Sequence, residues 1–259
     1  MFRDKKSQVT MFIILGIVIL AVIFSVFYFL GDRILKQSEK DVVFTESSLE
    51  PLKDYVEDCI KKYGDEGLDL VGKQGGDIEP EFYLTYTFLN EDYSSKINYL
   101  CYTESFEPCA NRRPLLARHV ENELKNYIMN GLNTCVDLEL IRNEGYKIEE
   151  GERELDVSIG TYNVIVNLDY PITITKGDTT IKEERFVKTF NVPLGKLIDV
   201  TKDIVDFEII NGEFYNIPYM LENPRVEIEK HRPGDSKVYR VNIFQDDYFF
   251  QFAIQNFVY

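Results

Sequence analysis

Between Val9 and Leu30 the chain carries no charged residue, and its small polar side chains there are Thr10 and Ser25. A helix over this stretch extends about 33 Å at 1.5 Å per residue, enough to cross a hydrocarbon core of about 30 Å with a modest tilt. A buried helix of a soluble protein rarely runs this far without a charge. A cleaved secretory signal has an apolar core of roughly 7 to 15 residues ending at a small-residue site. This run is longer and ends in Val26-Phe27-Tyr28-Phe29-Leu30. The sequence therefore predicts a retained single-pass transmembrane helix over 9–30, preceded by a short cytoplasmic tail at 1–8 and followed by a stalk at 31–46 and a folded domain at 47–259.

Flanking charge does not orient this segment, since Arg3, Lys5 and Lys6 before it are balanced by Arg33, Lys36 and Lys40 after it. The cysteines do. Four of them, all beyond the apolar run, suit two disulfides outside the reducing cytosol. The expected location is the cell membrane, with the N-terminus cytoplasmic and the C-terminal domain extracellular.

Lys5-Lys6-Ser7-Gln8, followed at once by the apolar run, resembles the class III signal of archaeal type IV pilin-like proteins and single-pass archaeal surface proteins. The resemblance covers about the first 30 residues. It implies cleavage by a prepilin peptidase between Ser7 and Gln8, with the hydrophobic helix kept on the mature protein. Two positions depart from the pilin pattern: Ser7 stands where Gly or Ala is usual, and Phe12 where Glu is usual at the fifth mature position. A plain signal anchor with a basic flank is the alternative.

Beyond the stalk the composition is that of a packed fold, with 44% hydrophobic and 14% aromatic residues. Ser47 and Glu50 form a capping-box pattern, and Leu52, Tyr55, Val56, Cys59, Ile60 and Tyr63 fall on one stripe of a helix over about 49–63. A second helix, opened by Pro114, carries Leu116, Val120, Leu124, Tyr127, Ile128, Gly131, Leu132 and Cys135 on one face. A third stripe runs through Leu197, Ile198, Thr201, Ile204 and Val205.

Val56-Glu57, Ile60-Lys61, Tyr63 and Gly67-Leu68 recur as Val120-Glu121, Leu124-Lys125, Tyr127 and Gly131-Leu132. An internal duplication, with sub-repeats at 47–112 and 113–193 and a C-terminal part at 194–259, accounts for this. So do two amphipathic helices meeting the same packing needs.

Short β-rich runs separate the helices, over 82–89, 97–102, 155–159, 162–174 and 185–192. A final meander follows over 225–229, 238–244 and 248–259, turning at Arg232-Pro233-Gly234-Asp235 and at Asp246-Asp247. The last strand alternates Tyr248, Phe250, Phe252 and Ile254 with Gln251, Ala253 and Gln255, which predicts one buried and one wet face. The expected fold class is α+β, with amphipathic helices packed on mostly antiparallel β-sheet.

Cys59 and Cys135 lie on the apolar stripes of two helices, and Cys101 and Cys109 are separated by a short segment containing Pro108. The favoured pairing, of three connectivities, is Cys59 with Cys135 and Cys101 with Cys109. A zinc site is disfavoured because no CxxC pair is present and neither histidine has ligand spacing to a cysteine pair.

Chemistry is hard to place. His119 and His231 are the two histidines, and both read as surface or boundary residues. Gly67 and Gly72-Lys73 match the spacing of a phosphate loop, but Gln74 stands where Ser or Thr holds magnesium and no strand leads in. No catalytic residue, metal or cofactor is called for.

The net charge of -15 repels phosphate backbones, so nucleic acid is not an expected partner. The expected partners are the membrane, through the N-terminal helix, and proteins or further copies of the chain. The leading functional expectation is a non-enzymatic structural, adhesive or pilin-like surface protein. An extracellular ligand-binding or receptor domain acting with a membrane partner is the alternative, and an anchored carboxylate-dependent hydrolase the third.

Overall fold

The computed structural model describes residues 50–88, 92–105, 107–143 and 145–257. The expected transmembrane helix, the Ser7–Gln8 bond and the stalk lie outside the described residues. Among those described, no helix is long and apolar enough to cross a membrane.

Helix α1 (Glu50–Gln74) has Pro51 in its first turn, where a missing N–H costs nothing, and buries Leu52, Val56, Cys59, Ile60, Leu68 and Val71. It continues past Tyr63, where the apolar stripe read from sequence stops, through Gly64, Gly67 and Gly72. Glycine inside a helix costs roughly 1 kcal/mol relative to alanine. Here close packing needs it: a Cβ at Gly72 would sit 2.6 Å from the Phe249 carbonyl oxygen. The helix stops at Gly75 and Gly76, both at positive φ. Gly67, Gly72 and Lys73 thus lie within α1, and their phosphate-loop spacing serves packing.

Helix α2 (Leu116–Cys135) runs antiparallel to α1, and the two exchange aromatic rings for glycines. Tyr63 lies over Gly131, where a Cβ would meet its ring at 2.2 Å, and Tyr127 lies over Gly67, with ring carbons 3.1 Å from a Cβ there. The two rings meet edge-on at 6.2 Å. Tyr63 and Tyr127, like Gly67 and Gly131, correspond in the recurrence of α1 in α2, each pair 64 positions apart, so the two helices pack with local two-fold symmetry. A short helix α3 (Glu139–Asn143) follows, its first N–H held by the Asp137 carboxylate at 2.9 Å.

Strands β4 (Lys147–Glu150), β5 (Glu154–Ile159), β6 (Val164–Lys176) and β7 (Thr179–Phe190) form an antiparallel sheet. β6 is its spine, with β5 and β4 in succession along one edge and β7 along the other. Val164, Val166, Leu168, Tyr170, Ile172 and Ile174 alternate inward, the period-2 pattern of a sheet with one covered face.

The second sheet contains β1 (Tyr83–Tyr86), β2 (Ser95–Tyr102), β3 (Ala110–Asn111), β8 (Val226–His231), β9 (Lys237–Ile243) and β10 (Phe249–Gln255). Its order is β1-β2-β10-β9-β8, with β3 also on β2. The meander β8–β9–β10 is antiparallel, but β10 pairs parallel with β2, placing Ile254 opposite Cys101. The fold is therefore α+β with one mixed sheet.

Because β10 is central, Gln251 and Ala253 are as buried as Phe250 and Phe252, which corrects the expectation of a wet face. A satellite cluster of Phe88, Ile97, Tyr99, Val238 and Ala253 covers that second side. Helix α4 (Leu194–Asn211) packs Leu197, Ile198, Thr201, Ile204 and Val205 inward, and α5 (Asn216–Glu222) follows it. All the described residues fall within one compact unit.

Candidate functional site

Four features are candidates, and in each the side chains are committed to one another. The cysteines come first. The structure joins Cys59 to Cys135 across α1 and α2, and Cys101 on β2 to Cys109, with no free cysteine among the described residues. Around the first bridge, the Tyr55 hydroxyl donates to the Cys135 carbonyl at 2.5 Å and accepts from the Asp137 amide at 3.1 Å. Around the second, the Cys109 amide donates to Asn256 Oδ1 at 3.0 Å, and Asn256 in turn donates to the Glu208 carbonyl. Both bridges are built into the packing.

His119 lies in the first turn of α2 and belongs to a cluster that sequence reasoning missed. Its Nε2 is 2.5 Å from Asp77 Oδ1, and Arg113 Nη2 donates to Asp77 Oδ2 at 2.8 Å. Arg113 Nε lies 3.2 Å from both Asp77 Oδ1 and His119 Nε2, so the three side chains form one closed cluster. Burial works to raise the Asp77 carboxyl, but hydrogen bonds from His119 and Arg113 outweigh it and hold the group below the usual carboxylate range.

A carboxylate orienting an imidazole is two-thirds of a nucleophile-activating triad. Here the carboxylate is also saturated by Arg113, and among the described residues no serine or threonine hydroxyl bonds His119. The neighbouring Ile78 amide donates to Glu123 of α2 at 2.9 Å. Together these contacts clamp the segment after α1 to the start of α2. No short motif announces them, because Asp77 and His119 are 42 positions apart. His231 lies at the end of β8, with Nε2 2.5 Å from Glu229 and its ring 5.3 Å from Phe88.

The most deeply buried charges gather where α4 ends. Glu208 is fully buried, accepting the Phe214 amide at 2.9 Å and the Tyr239 hydroxyl on Oε1 while Lys237 approaches Oε2 at 2.5 Å. Lys237 also reaches the Gly212 carbonyl and, at 3.1 Å, Glu213. Glu213 is held further by Lys230 at 2.5 Å and by Arg232. Burial raises the Glu213 carboxyl, and hydrogen bonds from Lys230 and Lys237 lower it further than that. Burial and the Glu208 charge push the Tyr239 phenol well up, so it stays a donor. Glu208 follows Thr201, Ile204 and Val205 on the α4 stripe at helical spacing, a visible signal for a buried acid.

A shallow cavity of about 270 Å³ lies between α1 and the end of β7, with Lys61 and Lys188 among its lining. Lys61 pairs with Asp65 and Lys188 with Glu57 at 3.5 Å, so neither cation is free for an anion. No group of three or more acidic, histidine or cysteine side chains is placed to hold a metal ion among the described residues. No family model matches the chain, and no curated protein or solved structure matches it either.

Proposed function

We propose that this chain is a membrane-anchored surface protein with a structural, adhesive or pilin-like role. Its anchor is the apolar run at 9–30, and its domain faces the oxidising exterior. The observation that carries the reading is the pair of closed cystines on a domain that follows a 22-residue uncharged apolar run. Disulfides persist outside the cytosol, and such a run is stable in lipid. A binding or structural role is supported by the way Arg113 and His119 both bond the Asp77 carboxylate, and Lys237 the Glu208 carboxylate, each as a clamp between elements. A net charge of -15 suits a solvated exterior domain that does not bind nucleic acid.

The experiment is labelling of intact cells with a membrane-impermeant amine reagent. Lysines of the domain, such as the exposed Lys53 and Lys202, become modified if the proposal holds. Labelling that appears only after lysis would invert the topology and remove the proposal. N-terminal sequencing of the membrane-extracted protein decides the pilin-like version: a start at Gln8 supports it, whereas an intact N-terminus leaves a plain anchor.

A further inference from the structure

The end of α4 and the outer side of α5 carry an apolar face left uncovered among the described residues. Ile210 is 75% exposed, Ile217 65% and Leu221 79%, with Phe207 and Tyr215 exposed beside them. These five fall between positions 207 and 221, and the other exposed large apolar residues are spread from Tyr83 to Phe244. α5 packs on β8, where Asn216 donates to the Ile228 carbonyl at 3.1 Å, and is linked to α4 by side chains: the Tyr219 hydroxyl donates to Asp203 at 2.8 Å, and the Phe214 ring contacts Phe207 at 5.6 Å and Tyr219 at 5.4 Å. Ile217 and Leu221, four positions apart, share the side of α5 that turns away from these contacts.

The rim of this face is acidic. Asp199, Asp203 and Asp206 are exposed on α4, and Glu222 is exposed at the end of α5. Lys196 and Lys202 share α4 with these carboxylates and Arg225 follows α5, but no ion pair among the described residues neutralises Asp199, Asp206 or Glu222. The scaffold beneath is fixed by the buried Glu208–Lys237 pair and its bonds to Gly212 and Phe214. A firm apolar strip with an acidic margin is complementary to an amphipathic helix whose apolar side is edged by lysine or arginine.

We propose that this face docks a basic amphipathic helix of a partner protein. A second copy of the chain is a poorer fit, because a self-complementary contact would set one acidic rim against another. A bilayer with anionic lipids meets the same repulsion. The proposal holds whichever side of a membrane the domain faces, so its failure and that of the surface-protein reading are separate results.

The test uses the full chain in zwitterionic nanodiscs, with empty nanodiscs as the blank. The probe is a fluorescent leucine–lysine peptide of about four helical turns, patterned to be amphipathic. Saturable binding is expected, weakened about tenfold or more by the I210S/L221S pair. The D199N/D206N pair and added salt are expected to weaken it several-fold. V187S, at an exposed apolar position on β7, leaves it unchanged.

Circular dichroism of each variant separates loss of the face from loss of the fold. Equal binding by the leucine–glutamate counterpart, or indifference to I210S/L221S, overturns the proposal. Concentration-dependent self-association abolished by I210S/L221S assigns the face to a second copy. Quenching of a fluorophore at L221C by lipid-borne quenchers assigns it to the bilayer. Either result also overturns it.

Discussion

Lys237 and Glu208 illustrate how a single buried charge becomes indispensable once its partner is in place. Removing Lys237 leaves the Glu208 carboxylate in the interior with its phenol and amide donors but no counter-charge. Loss of one member of a buried pair typically costs about 3 to 5 kcal/mol, far more than the pair itself contributes. K237A is therefore expected to lower urea-unfolding stability by about that amount, and the double variant K237M/E208Q, which keeps an acceptor for the Tyr239 hydroxyl and the Phe214 amide, by less; equal losses would show that the pair itself stabilises.

Acid acts on the same kind of group. The folded-state carboxyls of Asp77 and Glu213 lie below their unfolded values of about 3.9 and 4.3. Their contribution is therefore present above those values and is lost as pH falls through the lower folded ones. The melting temperature should hold between pH 7 and pH 5 and fall steeply below about pH 4, with a shallower fall in D77N. Glu208 was within reach of sequence reasoning, since it continues the buried α4 stripe. Asp77 was not, because its partners are brought to it only by tertiary structure.

The helices were the most legible elements, because the 3.6-residue period of α1, α2 and α4 survives any topology. The tyrosine and glycine positions of the recurrence between α1 and α2 share one packing role: each helix of the antiparallel pair offers a tyrosine to the other's glycine. G131A would drive a methyl group into the Tyr63 ring, and overpacking of this kind typically costs about 1 to 3 kcal/mol. Truncating the ring should relieve it, so Y63A/G131A is expected to be less destabilised than the sum of its single variants. Additivity in that cycle would mean that the ring and glycine do not bear on each other.

The elements that were missed are α3, α5, the short strands β3 and β4, and the parallel pairing of β10 with β2. α3 and α5 span only five and seven residues, too few to establish a period. The parallel pair joins strands about 150 positions apart, and nothing local encodes it. Its consequence, a strand covered on both faces, explains why Gln251 fits an alternating pattern yet is fully buried, held by Arg240 at 2.9 Å and by the Lys73 carbonyl at 2.5 Å.

Across the domain, α1 is the member that ties the two sheets together. Its Gly72 rests on the β10 backbone at Phe249, its Gly64 on the Phe190 ring at the end of β7, and its Cys59 is bonded to α2. A helix shared by both sheets makes separate unfolding of either one expose its own core, so cooperativity should extend over the whole folded region. The Cys59–Cys135 bridge encloses 76 positions, worth about 4.5 kcal/mol in the chain-entropy model, against about 2.5 for the short bridge at Cys101. Denaturant unfolding of the oxidised chain, followed by tyrosine fluorescence and by far-ultraviolet dichroism, is therefore expected to give coincident single transitions. C59S/C135S should move the midpoint down more than C101S/C109S does and keep the two signals coincident. Two resolved steps in the oxidised protein, or a larger effect from the short bridge, would show that α1 does not couple the sheets as its contacts imply.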